Sequence, residues 1–252
     1  MRTVVVALAA AATSLSGAPR NLASQASSIA RRVDAVRDGI VSMRFASRPG
    51  VCRDPDGGTW TRNGSSDSWR GCVTGPVHVT LGRADNSTVS VRVTIGDPRR
   101  GSSSQNDLGM VSASDGAHYL LEIAHSLRGR NATEAVSGAA LADSVNLSSD
   151  FTSLVRDGSL PIDTRQQALF WLGQTSFPTL ELASLYDGLT PQALREHFVF
   201  VISQRRDDPA IQKLIDIASH DASRDIRRNA MYWLGQTNDP RAVKFLRDIV
   251  TR

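Results

Sequence analysis

Trp171-Leu172-Gly173-Gln174-Thr175 returns as Trp233-Leu234-Gly235-Gln236-Thr237, and a weaker echo, Val201-Ile202-Ser203-Gln204, lies between them at spacings of 30 and 32 residues. An arginine stands six residues before each anchor position, at Arg165, Arg195 and Arg227. A unit of this length, recurring three times, has one apolar face that only a neighbouring copy can bury. The stretch therefore predicts a stack of helical units and a surface that binds something.

Each unit carries a second helix behind the anchor. Asn238-Asp239-Pro240 turns the chain in the last copy, and Ala242 to Val250 follows. Asp208-Pro209 does the same in the middle copy, with Ile211, Leu214, Ile215 and Ala218 as the buried face, and Pro178 precedes Leu180, Leu182 and Leu185 in the first. Proline suits a helix's first turn because its missing N–H is not needed there. Asp163-x-Arg165-x-x-Ala168-x-x-Trp171-Leu172-Gly173 and Asp225-x-Arg227-x-x-Ala230-x-x-Trp233-Leu234-Gly235 resemble HEAT-type repeats of the short, phycobilisome-lyase-like kind found in many bacterial proteins. The middle unit lacks the aspartate. The resemblance implies a right-handed stack of helix pairs that binds proteins. It also implies that aspartates and arginines at these positions pair between repeats, so Arg165, Arg195 and Arg227 are structural, as are Trp171 and Trp233 in the packing register.

Outward from the repeats, Tyr119, Leu120, Ile123, Ala124 and Leu127 form an apolar helical face that Ser112 or Ser114 can cap, with Gly129 as its stop. Ala132 to Val145 and Asp150 to Val155 read as two further helices. Together they are expected to be a degenerate repeat capping the stack.

Before residue 108 the period is two. Val41, Met43 and Phe45 alternate with polar residues, as do Val77, Val79 and Leu81, then Val89, Val91, Val93 and Ile95, with Asp85-Asn86 as the turn of a hairpin. Cys52 and Cys72 are the only cysteines. In an exported chain they read as a disulfide, closing a loop worth about 3 kcal/mol through the unfolded state; a metal site or a reactive thiol are the competing readings. Trp60 and Trp69 stand in this loop among Arg53, Arg62 and Arg70, either as a contact surface or as a cover for the sheet. Residues 97–107, rich in Pro, Gly, Ser and Arg, read as a linker, and Asn21 to Asp38 as a polar helix.

Met1-Arg2, the apolar run Val4 to Ala12 and the small residues Ser16-Gly17-Ala18 have the layout of an export signal; an uncleaved anchor is the alternative. The formal charge is +4, and it is uneven: residues 19–107 carry thirteen Arg against eight Asp, whereas residues 161–252 carry twelve basic against eleven acidic residues. Without a basic stripe on the repeats, a nucleic-acid partner is not expected.

His118, Glu122 and His125 share one helical face, and Glu196-His197 is a lone reversed pair. Neither makes a metal set with regular spacing, and no triad context or phosphate loop appears. The sequence thus predicts an α+β chain: a signal at 1–18, a small antiparallel β module with one disulfide at 19–107, and a C-terminal right-handed α-solenoid of HEAT-like hairpins at 108–252, three repeats filling 161–252. Its expected role is a non-enzymatic scaffold in the cell envelope, periplasmic or extracellular, binding another protein without metal or cofactor. An enzyme or maturation factor holding a prosthetic group is the alternative. Arg205 and Arg206, where a charged turn replaces the threonine of the other units, are candidate partner contacts beside Trp60 and Trp69.

Overall fold

The computed structural model describes residues 22–53, 59–61, 72–96 and 106–251. The signal-like start, Trp69 and the side chain of Trp60 lie outside the described residues.

A four-stranded sheet runs in the order β5-β4-β1-β6. Strand β1 (Gly39–Phe45) pairs antiparallel with β4 (Val77–Ala84), setting Val41 opposite Leu81 and Met43 opposite Val79. Strand β4 turns into β5 (Ser87–Ile95) through Asp85 and Asn86, both at positive φ (50° and 59°). Two left-handed residues make the turn whose twist matches a hairpin, and Asp and Asn tolerate that region. The fourth strand, β6 (Asn106–Met110), lies parallel to β1, with Asn106 and Asp107 opposite Val41 and Ser42. The linker expected over 97–107 thus ends inside a strand, and a module boundary at 108 would cut β6. Asn-Asp-Leu-Gly-Met has no alternating pattern to announce it. The edge is held instead by side chains: Ser42 Oγ and Arg44 Nη2 donate to the Asp107 carboxylate at 3.2 and 2.9 Å.

Strands β2 (Val51–Arg53) and β3 (Thr59–Thr61) form a separate pair within the loop. The Cys52–Cys72 disulfide closes that loop, its Cα atoms 5.7 Å apart.

Helix α1 (Leu22–Asp34) buries Ile29 and Val33 and packs on α2 (Ala113–Ala124), which Ser112 caps by accepting from Asp115 N. Gly129, expected to stop that helix, instead opens α3 (Gly129–Ala140) at φ 54°. Helix α3 joins the two parts of the molecule. A Cβ on Gly138 would sit 2.7 Å from Val93, so the helix lies tight against β5. Asn131 Oδ1 and Glu134 Oε1 accept from Val91 N (3.2 Å) and Val93 N (3.0 Å), covering the free edge of β5. Its other side meets α5.

The remaining helices are α4 (Ser148–Arg156), α5 (Ile162–Gln174), α6 (Thr179–Ser184), α7 (Gln192–Ser203), α8 (Asp208–His220), α9 (Arg224–Gly235) and α10 (Pro240–Val250). Helices α3, α5, α7 and α9 form one row, and α6, α8 and α10 stack behind it. Helices α8 and α10 begin at Asp208-Pro209 and Pro240 as the turns predict, and Asp207 and Asp239 cap them. Helix α6 is short and passes into a 3₁₀ turn at Tyr186–Gly188. One continuous apolar core runs from Val41 and Leu81 through Leu120 and Val136 to Leu172, Ile202 and Leu234.

Candidate interaction surface

The repeated arginines do their work inside the stack. Arg165 is buried, and its Nε donates to Val155 O at 2.9 Å, at the C-terminal end of α4. Arg227 Nη1 donates to Asp221 O (2.6 Å) and Ala222 O (3.1 Å), just past the end of α8. Helix ends leave carbonyls without intrahelical partners and with partial negative charge, which a guanidinium satisfies. Among the described residues the motif aspartates do not pair with these arginines; Arg195 Nε lies 3.8 Å from Oδ2 of a different aspartate, Asp221. Asp163 instead accepts from its neighbour Thr164 N (2.8 Å), and Asp225 pairs with Arg228 one turn along its own helix.

Asp221 is a buried tie between repeats that no motif in the sequence marks. Its side chain is only 3 % exposed; it accepts from the Tyr186 hydroxyl, from Ser223 N at 2.7 Å, and faces Arg195. Burial, and the bond to Asp221, hold the Tyr186 phenol well above the usual tyrosine range. Its position two residues before the cap Ser223 was the only sequence signal.

Trp171 is buried, donates from its indole N–H to Ser137 Oγ on α3 (3.3 Å), and carries the Arg48 guanidinium 5.3 Å from its ring. Trp233 is half-buried against Phe200, ring centroids 5.7 Å apart. Arg205, expected to meet a partner, is committed to the preceding repeat: it donates to Gly173 O (2.9 Å), Thr175 O (2.8 Å) and Thr179 Oγ1 (3.2 Å). A long cation in the turn reaches back to the end of α5, which a threonine cannot do. Arg206 is exposed and lines, with Trp233, Gln204 and Gln236, a recess of about 490 Å³ at the turn edge.

A broader concavity lies elsewhere, between α4 and α6. It measures about 860 Å³ and is lined by Ser149, Thr152, Arg156, Phe177 and Glu181 among others. A second recess of about 420 Å³ adjoins it, sharing Asn146 and Ser148 and reaching Arg48 and Gln174. A third of about 340 Å³ shares Ser184 and continues over α8 at Lys213 and Asp216. Leu180, 71 % exposed, stands on its rim. Hydroxyls dominate the lining, charges of both signs flank it, and hydrogen bonds from Ser159 hold the Asp157 carboxyl below its usual range.

The histidines of α2 face carboxylates on α4's side. His118 Nε2 lies 3.9 Å from Asp150 Oδ2 and His125 Nδ1 3.8 Å from Asp157 Oδ2, while Glu122 is exposed. Among the described residues no group of three or more His, Cys, Asp or Glu converges on one point.

The family described as PBS lyase HEAT-like repeat matches residues 226–250, from Ile226 of α9 to the end of α10. No curated protein and no solved structure matches the chain. The helix pair α9–α10 is thus similar to a PBS lyase HEAT-like repeat, and α5–α6 and α7–α8 stand in register with it, which supports reading the C-terminal helix pairs as HEAT-like repeats.

Proposed function

We propose that the protein is a non-enzymatic scaffold that receives an extended segment of a partner protein along the groove over α4, α6 and α8. The observation that carries this reading is adjacency: three recesses share Asn146, Ser148 and Ser184 in their linings, so a segment lying along them would pass from one to the next. Hydroxyl groups along such a track can serve both the donors and the acceptors of an extended backbone, and Phe177 and Leu180 offer apolar contact for side chains. Flanking charges of both signs suit a mixed polar segment rather than a polyanion such as nucleic acid. The compartment we propose is outside the cytoplasm. The Cys52–Cys72 disulfide is compatible with export, and no helix among the described residues is long and apolar enough to cross a membrane.

Photo-crosslinking tests the groove directly. A photoreactive residue at Leu180 or Thr152 should give discrete protein adducts in the native envelope fraction, and one at Val89, on the far sheet, should not. Ser149→Trp, which fills the track, should remove the adducts. Adducts that ignore Ser149→Trp, or none from either groove position, would refute the reading, as would stoichiometric metal or a chromophore in the purified chain.

A further inference from the structure

Arg48 lines the second recess, and the fold fixes its backbone there. Its N–H donates to Leu141 O at 2.8 Å, Ser47 bridges to Ala142, and Pro49 confines the residue before it to extended backbone. The half-buried guanidinium stands over Trp171, 5.3 Å from the ring centroid. Every other described arginine that is not exposed donates to a carbonyl or faces a carboxylate: Arg44 meets Asp107, Arg83 meets Asp34, and Arg205 closes the end of α5. Arg48 does neither among the described residues. Burial pulls its guanidinium below the usual arginine range, and no carboxylate acts in the opposite sense. Taking a cation out of water costs free energy unless a counter-charge answers it.

The surroundings suit an anion. Among the described residues lining the recess Arg48 alone is charged, and hydroxyls and amides stand beside it, among them Ser144, Asn146, Gln174 and Ser176. The N-terminal end of α4 opens on the recess at Leu147 and Ser148, and a helix N-terminus favours negative charge. Asp150, the acid of that first turn, lies instead by His118. We infer that this recess binds a carboxylate of the partner segment, held by Arg48 and seated among the hydroxyls. One guanidinium matches a carboxylate in charge and offers it two parallel N–H donors, whereas a phosphate dianion would keep a charge unanswered. The recess shares Asn146 and Ser148 with the concavity between α4 and α6, so the carboxylate arrives as part of the chain that lies there. The inference thus rests on the groove reading and adds the contact that sets the segment's register. The carboxylate comes from the segment's C-terminus or from an Asp or Glu side chain.

Peptide selection on the immobilised full chain tests it. A pool of short, N-acetylated random peptides is offered once as free acids and once as C-terminal amides. Retention of the free acids alone identifies the C-terminal carboxylate; enrichment of Asp or Glu at one position in both pools identifies a side chain, and either result bears the inference out. Arg48→Met, which keeps an apolar stem over Trp171 and drops the charge, should weaken the enriched sequences at least about tenfold and erase the acidic preference. Arg48→Lys should keep the preference at lower affinity. Ser176→Glu supplies a carboxylate to the recess from within the chain, so it should erase the preference too, and it removes nothing from the core if Arg48→Met fails to fold. Peptides retained without an acidic preference, or with one that survives Ser176→Glu and a folded Arg48→Met, overturn the inference and leave the groove standing. Retention of nothing from either pool overturns the groove reading and the inference together.

Discussion

His197 sits at the α5–α7 contact, its ring 5.9 Å from Phe200 and its Nε2 buried without a hydrogen-bond partner among the described residues. Burial holds its imidazole below the usual histidine range. In the unfolded chain the same group titrates near about 6.5. As pH falls through that value the unfolded state takes up a proton that the folded state refuses, so stability drops until the folded ring also protonates. Urea midpoints at about pH 7.5 and 5.5 should therefore fall further apart for the wild type than for His197→Gln. Equal differences would place the acid sensitivity elsewhere. The sequence shows His197 only as half of a reversed Glu-His pair. Its burial depends on which face of α7 meets α5, and that follows from the register of the whole stack.

At the scale of elements, the repeated Trp-Leu-Gly-Gln-Thr does two different things with one sequence. At Gly173 the missing Cβ admits Val201; at Gly235 it leaves a notch on an exposed face. Gly173→Ala should destabilise the fold by about 1–3 kcal/mol through overpacking, despite alanine's better helix propensity, and Val201→Ala in the same chain should return part of the loss. Gly235→Ala, at the last residue of α9 where the propensity difference is only partly felt, should stabilise the chain by less than about 1 kcal/mol. Chemical denaturation of the three variants against wild type measures both signs. Local signals also located the β4–β5 hairpin, through two turn residues able to take positive φ, and the caps of α8 and α10. They could not locate β6, whose pairing with β1 depends on Asp107 meeting Ser42 and Arg44 across 63 or more residues of chain.

For the whole molecule, sheet and solenoid share one apolar core through α3, which covers the edge of β5 on one side and anchors Trp171 through Ser137 on the other. The disulfide pins the loop that joins β1 to β4. Reducing it in the folded protein should lower stability by about 3 kcal/mol, the unfolded-state entropy of a loop of 20 residues. Melting with and without reductant, beside a Cys52→Ser, Cys72→Ser chain, checks this, and an unchanged midpoint would show that the loop gains nothing from closure.

Repeat spacing, turn chemistry and the two periods of apolar residues determined the architecture from sequence alone. Each is a local regularity that a helix, hairpin or cap expresses through its own backbone geometry. Which arginine is tied into the stack, which carboxylate ties two repeats, and where the groove runs were decided only by tertiary structure. Arg205 and Arg206 are neighbours of one charge type, yet one closes the end of α5 and the other stands in solvent. Asp221 gathers Tyr186, Arg195 and Arg227 from three helical segments. Such contacts join residues far apart in the chain, and their geometry exists only once the stack has set the distance and rotation between helices.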